Sequence, residues 1–292
     1  MAFDIDRFMT LSKAVETSDI DWDYVASHGV TDAEARIMRY MADVESHTIL
    51  YLRDLLAGHN ARDPEVTGFL SCWVYEETQH GRALDQFLTA AGRPPAANRF
   101  TVTAQKASFM EDVEGFLTLN AARLTPHFGA VHMVWGAVNE ICAALAYTAL
   151  ARYTDNRELN KLLLRLAKDE RRHQSFYYQQ AEKRLQAHWL ARMLTNTALK
   201  HFWGPVGSGV GAVDGFNFTA ALLFDNPEGQ EELAKMDATI ARLPSLEWFN
   251  LGQKRISERI VHFKRDYPEE SARLPVRVRR NVPVAVVRSA AG

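Results

Sequence analysis

The chain has 292 residues, of which 47% are apolar and 24% charged, and its net charge is -2 at neutral pH. That composition suits one sizeable core and gives no reason to propose a nucleic-acid partner. The two cysteines, Cys72 and Cys142, do not form a CxxC pair, so a reduced, cytoplasmic setting is the simpler expectation. The opening stretch Met1–Lys13 carries acids early and lacks a continuous apolar segment, so no signal peptide is expected. No uninterrupted apolar run of about 18 residues occurs, which argues against a membrane span.

Long helices are predicted in chain order. The first covers about 31–57, with Thr31 as its cap, Glu34 completing a capping box and Gly58 as its stop. The second covers about 64–92, after Asp63 and with Pro64 at its first position. Arg93-Pro94-Pro95 breaks the chain, and an amphipathic helix follows over about 104–124. The next begins after Thr125, again with proline (Pro126) at its first position, and reaches about Tyr153. Another starts after Asp155 and extends toward Trp189. Gly204, Gly207, Gly209, Gly211 and Gly215 lack phosphate-loop spacing and read as a loop between helices. A shorter helix is predicted over about 245–263, and the basic, Val-alternating end at 274–287 reads as an irregular tail or arm. One domain, 1–292, is expected, with its core over about 31–190 and an extension over about 191–292.

Two ExxH motifs carry the chemistry: Glu77-Thr78-Gln79-His80 and Glu170-Arg171-Arg172-His173. Residues three apart share a helix face, so each motif aims a carboxylate and an imidazole the same way. One such motif is weak, because charged helices usually present a solvated face. Here, however, the same-face neighbours are Leu70, Trp73, Leu84 and Phe87 for one, and Leu159, Leu163, Leu166 and Tyr177 for the other. An ionised carboxylate on an apolar stripe requires a cation or a proton. Glu45 and Glu140 lie on similar stripes of the other two long helices. Glu45 and Glu77 each lie 14 residues after a helix start, and Glu140 and Glu170 each lie 15 after theirs. All four therefore fall near mid-helix and meet at one level in a bundle. One Glu from each of two helices and ExxH from each of the others is the dimetal carboxylate pattern. Four carboxylates and two imidazoles suit iron, with a manganese–iron pair as the alternative. Asp169, Asn139 and Trp73 are candidates to support these ligands from behind.

The segments Trp73–Gly81 and Lys168–His173 make the chain resemble the ferritin-like di-iron carboxylate proteins, and among them the soluble acyl-acyl-carrier-protein desaturases, which have a similar EExxHG and DExRH. The likeness covers about 31–190. It implies an all-α, ferritin-like four-helix bundle with additional helices and an irregular C-terminal tail. It also implies that Glu45, Glu77, His80, Glu140, Glu170 and His173 hold two iron ions, two of the carboxylates bridging. The implied activity is oxygen-dependent desaturation of an acyl chain on acyl carrier protein, within fatty acid metabolism. An external electron donor such as ferredoxin and a homodimeric state come with it. Oxygen-activating relatives often carry Thr one turn after the third-helix Glu, where this chain has Ala143 and Ala144. A second resemblance is to the ribonucleotide-reductase-like ligand-binding oxidases. Some of those join a Val to a Tyr near the metals, at positions that here hold His47 and Trp135, so no such crosslink is expected. N-oxygenation or hydroxylation of a small molecule stays open, as does iron storage. Storage is disfavoured by the hundred or so residues after the bundle, and a rubrerythrin-like peroxidase by the missing CxxC pairs.

Overall fold

The computed structural model describes residues 3–56, 59–95, 125–205 and 213–274. Among them helices form and strands do not. The bundle consists of α3 (Asp32–Leu56), α4 (Pro64–Ala90), α5 (Gly129–Tyr153) and α6 (Arg157–Ala187). Before it lie α1 (Ile5–Leu11) and α2 (Trp22–His28). After it come α7 (Trp189–His201), α8 (Val213–Phe224), α9 (Pro227–Ile240), α10 (Leu251–Asp266) and α11 (Pro268–Ala272). The fold is an all-α, ferritin-like bundle with additional helices.

Local chemistry sets the bundle's helix starts. Thr31 and Glu34 exchange bonds: Glu34 N–H donates to Thr31 Oγ1 at 3.2 Å and Thr31 N–H to Glu34 Oε2 at 2.7 Å. This satisfies two donors that a helix start would otherwise leave unpaired. Asp63 Oδ1 caps α4 through the N–H groups of Glu65 and Val66, and Pro64 costs no bond at the first position. The cap of α6 is Asn156, one residue beyond the predicted boundary, bonded to Glu158 and Leu159 N–H at 3.0 Å each. Pro126–Phe128 forms a 3-10 turn before α5 proper begins at Gly129.

Cross-helix partners give the directions. From its cap onward, α4 meets α6 through Asp63–Arg184, Phe69–Phe176, Glu76–His173 and His80–Asp169, so the two run antiparallel. Helices α5 and α6 pair the same way, through Thr148–Arg171 and Ala151–Asn160. Gly81 lies against Ala42 and Ser46 while Asp32 reaches Arg93, so α3 opposes α4. Consequently α4 and α5 are parallel, so the end of α4 and the start of α5 lie at opposite ends of a bundle about 40 Å long. The helix predicted over about 104–124 and the C-terminal tail from 275 lie outside the described residues.

Several elements differ from the reading of the sequence. Helices α1 and α2 have seven residues each, too short for a periodic signal, although Asp4 and Asp21 cap them. Gly215 belongs to a helix rather than a loop. A Cβ there would come within 3.2 Å of Tyr40, so the glycine permits α8 to approach α3. The helix predicted from about 245 begins instead at Leu251, because the chain turns through Ser245 at a φ of 65°. Pro126–Tyr153 is, by length and composition alone, apolar enough to cross a membrane. Most of it is buried within the bundle, where its apolar residues pack on α6.

The α5–α6 contact is tight at Gly136, where an added Cβ would lie 2.5 Å from the Tyr177 ring. Gly136→Ala is expected to destabilise the metal-free protein by about 1–3 kcal/mol, the usual cost of overpacking. Urea unfolding checks this, and an unchanged midpoint would contradict it.

Candidate metal centre

Each bundle helix delivers its carboxylate from mid-helix to one buried layer. Glu45, Glu77, Glu140 and Glu170 are all buried, and His80 and His173 are completely so. Two groups form. Glu45, Glu77, His80 and Glu170 each place one donor atom within 4.8 Å of the others, and so do Glu77, Glu140, Glu170 and His173. The groups share Glu77 and Glu170. Glu170 directs Oε1 toward His80 Nδ1 at 3.1 Å and Oε2 toward His173 Nδ1 at 3.4 Å. Glu77 Oε1 lies 3.0 Å from His173 Nδ1 and 3.9 Å from His80 Nδ1. Two central carboxylates thus lie between two imidazoles, with Glu45 on the His80 side and Glu140 on the His173 side.

The outward nitrogens of the imidazoles are held across the α4–α6 interface. His173 Nε2 is 2.7 Å from Glu76 Oε2, and His80 Nε2 faces Asp169 Oδ2 at 3.5 Å. Each histidine therefore faces the acid that precedes the Glu of the opposite motif, Glu76 through a hydrogen bond and Asp169 without one. Arg172 ties these supports together, donating to Glu76 and Asp169 at 2.9 Å each. This arrangement turns both Nδ1 atoms inward and makes them more basic donors. Phe8 of α1 lies beside His173 and against Arg172, and Phe69 stacks on Phe176 at 3.8 Å, so aromatic rings cover the His173 part of this side.

The end carboxylates are held by aromatic donors. Trp73 Nε1–H donates to Glu140 Oε1 at 3.0 Å, and the Tyr147 hydroxyl donates to Glu45 Oε1. Asp169 thus faces His80, and Trp73 bonds Glu140. Asn139 bonds none of the six, and its Oδ1 is buried without a hydrogen-bond partner. A residue adjacent to Glu140 points about a quarter-turn round the helix, away from the carboxylate layer. Glu76 and Tyr147 are the supports that sequence reasoning missed. A signal existed for each. Both ExxH motifs are preceded by an acid, and Tyr147 lies two turns after Glu140 on the same stripe. His132 is a core residue bonded to Asn60 at 3.0 Å.

The electrostatics demand a counter-charge. Burial, then repulsion from neighbouring carboxylates, pushes Glu45 and Glu77 above the usual range, and burial does the same to Glu140. Burial also opposes charge on His80 and His173, but the carboxylates beside them, Asp169 and Glu170 at His80 and Glu140 and Glu170 at His173, win and push both imidazoles up. Glu170 is likewise opposed by burial, yet the adjacent His173 and His80 hold it well below the carboxylate range. Without a cation, protons must neutralise the layer. Glu45 Oε2, Glu77 Oε1, Glu170 Oε1 and His80 Nδ1 remain buried without hydrogen-bond partners. All four belong to the His80 group, and those on Glu77 and Glu170 are shared with the His173 group. These unmet atoms, within two groups of three carboxylates and one imidazole each, fit a pair of divalent iron or manganese ions.

On the α3–α5 side the layer opens onto a cavity. Glu45 and Tyr147 form its polar end, and Met41, Val44, Ala143 and Ala146 continue its wall along α3 and α5. Phe216, Ala220 and Phe224 of α8, Leu233 of α9 and Ile256 of α10 close it. Ala143, at the position where oxygen-activating relatives often carry threonine, lines this cavity, whose hydroxyl-bearing residues are Tyr40, Tyr147 and Thr219.

Residues 57–199 match the family model described as fatty acid desaturase. The match takes in both ExxH motifs and Glu140, stops short of Glu45, and covers just under half of the chain. Searches of curated proteins and of solved structures found no match.

Two outcomes follow from this geometry. Glu76→Gln should lower Fe(II) affinity about 10–100-fold by loosening His173; equilibrium dialysis measures this, and wild-type affinity would remove Glu76 from its supporting role. Metal must also displace the protons on the raised carboxylates and imidazoles, so binding should release protons and weaken as pH falls. Calorimetry in two buffers of different ionisation enthalpy reads the release. Equal apparent enthalpies would contradict it.

Proposed function

We propose that this chain is a two-metal, oxygen-dependent oxidoreductase of desaturase type, with Glu45, Glu77, His80, Glu140, Glu170 and His173 as its ligands and iron as the metal. The observation that carries the proposal is the joining of this six-residue layer to an apolar cavity at Glu45. The match to the fatty acid desaturase family supports an acyl substrate. A saturated chain offers no group for acid–base or nucleophilic attack, and the bound metals would supply the oxygen activation that such a C–H bond requires. Removing two hydrogens to form one double bond while reducing O2 to two waters consumes two further electrons and two protons. An external donor such as a ferredoxin provides the electrons.

The chain's own residues have separate tasks in this proposal. Glu76 and Asp169 orient the histidines, with Arg172 holding both acids. Phe8, Phe69 and Phe176 keep water from the rear of the ligands. The cavity, about 70 Å³, seats a short apolar segment of the chain against Glu45 and Tyr147. Presentation of the chain as an acyl-carrier-protein thioester, a homodimeric state and a cytoplasmic setting belong to the same proposal. Iron storage accounts less well for α8–α10, whose residues build the cavity's far wall.

Metal analysis after anaerobic Fe(II) loading should give two metals per chain, and Glu140→Ala should sharply lower that number. Fewer than one metal in the wild type would overturn the two-metal reading. Reduced protein should then consume oxygen faster with an acyl-acyl-carrier-protein thioester and yield an unsaturated product. A hydroxylated product would redirect the reading to hydroxylation, and no stimulation would count against an acyl substrate. Ala146→Phe should fill the cavity, abolishing turnover while leaving metal content unchanged. A storage protein would show no loss of iron uptake or oxidation in that variant.

A further inference from the structure

The two end carboxylates of the layer are held by chemically different donors on different sides. Glu140 Oε1 accepts from the indole of Trp73, which does not line the cavity. Glu45 Oε1 accepts from the phenol of Tyr147, and Glu45 and Tyr147 both line it. Glu45 Oε2 is buried, has no hydrogen-bond partner and faces His80 Nδ1. With Oε1 held by the phenol, Oε2 is the oxygen of Glu45 left without a hydrogen bond.

We propose that Tyr147 is a positioning residue that restricts Glu45 to a single metal-facing oxygen, and that it transmits occupancy of the cavity to that end of the cluster. The inference rests on the two-metal reading. It follows from two properties of one side chain. The Tyr147 ring is completely buried, so its hydroxyl is held in place by packing on α5 rather than by solvent. Its position at the cavity's polar end means that a chain seated there presses on the same residue that fixes Glu45. A shift of the phenol frees Glu45 Oε1 and changes the number of oxygens the carboxylate can offer. Glu140 has no such exposure, so the two metal positions respond differently to substrate.

Cobalt(II) is a suitable probe, because its visible absorption weakens as it gains ligands. The wild type, Tyr147→Phe and Trp73→Phe are loaded with cobalt(II), and spectra are taken with and without a long-chain fatty alcohol. The wild type is expected to bind two cobalt ions and to change its spectrum on adding the alcohol. Tyr147→Phe should bind two as well, show weaker visible absorption, and lose the response to alcohol. Trp73→Phe should keep that response. A Tyr147→Phe spectrum identical to the wild type, or an equal response to alcohol, would overturn the proposal. Failure of the wild type to bind two cobalt ions would overturn the two-metal reading itself. Should Tyr147→Phe not fold, 3-fluorotyrosine at position 147 keeps the ring and hydroxyl while altering the hydrogen bond. It must then shift the cobalt spectrum, and an unshifted spectrum would refute the assignment.

Discussion

Four glutamates from four helices share one buried layer, and like charges at such separations in a medium of low polarity repel strongly. Burial alone would drive each carboxylate to its neutral form. Two imidazoles reduce the imbalance but do not cancel it, and several donor atoms remain unmet. The rest of the central structure is arranged around this cost. Glu76 and Asp169 turn the imidazole nitrogens inward, Arg172 bridges those two acids, and Trp73 and Tyr147 each satisfy one oxygen of an end carboxylate. A bundle whose only purpose was stability would place leucine at these positions, since replacing buried charges by apolar groups is often neutral or favourable.

The layer has two unlike sides. Between α4 and α6 it is sealed by aromatic rings, with α1 laid across them. The N-terminal segment thereby takes part in excluding water from the histidines. Between α3 and α5 it opens onto an apolar cavity completed by α8, α9 and α10. The carboxylate layer and the cavity thus draw on different parts of the chain. The desaturase-like segment at 57–199 supplies five of the six proposed ligands. Residues from 213 onward supply the cavity's far wall. Small residues on α5, notably Ala143 and Ala146, leave the space between them.

Helix direction bears on how this site could be anticipated. The glutamates lie near the middle of their helices, and a mid-helix residue keeps its level whichever way the helix runs. Their meeting was therefore legible from position alone, even though the parallel relation of α4 and α5 was not. Caps were legible for the same kind of reason: Thr31 with Glu34, and Asp63 with Pro64, act within one turn of chain. Asn139 shows where this form of inference stops. Sequence adjacency placed it beside Glu140, whereas helix geometry points it elsewhere. Asp169 and Glu76 adjoin ligands in the same way, and they serve because each reaches the histidine of the opposite helix.

The sequence by itself determined the four bundle helices and the six residues that converge, because periodicity, capping and depth are properties of single helices and survive any choice of partner. Only the tertiary structure decided which acid supports which histidine, that Tyr147 holds Glu45, and that the C-terminal helices close a cavity against α3 and α5. Those are contacts between segments up to about two hundred residues apart, set by packing across the bundle, and no local pattern encodes them. The opening feature of the sequence, two ExxH motifs on apolar stripes, becomes in the structure a crossed pair. Each motif brings its own Glu and His to the layer, and the acid before that Glu supports the other motif's histidine.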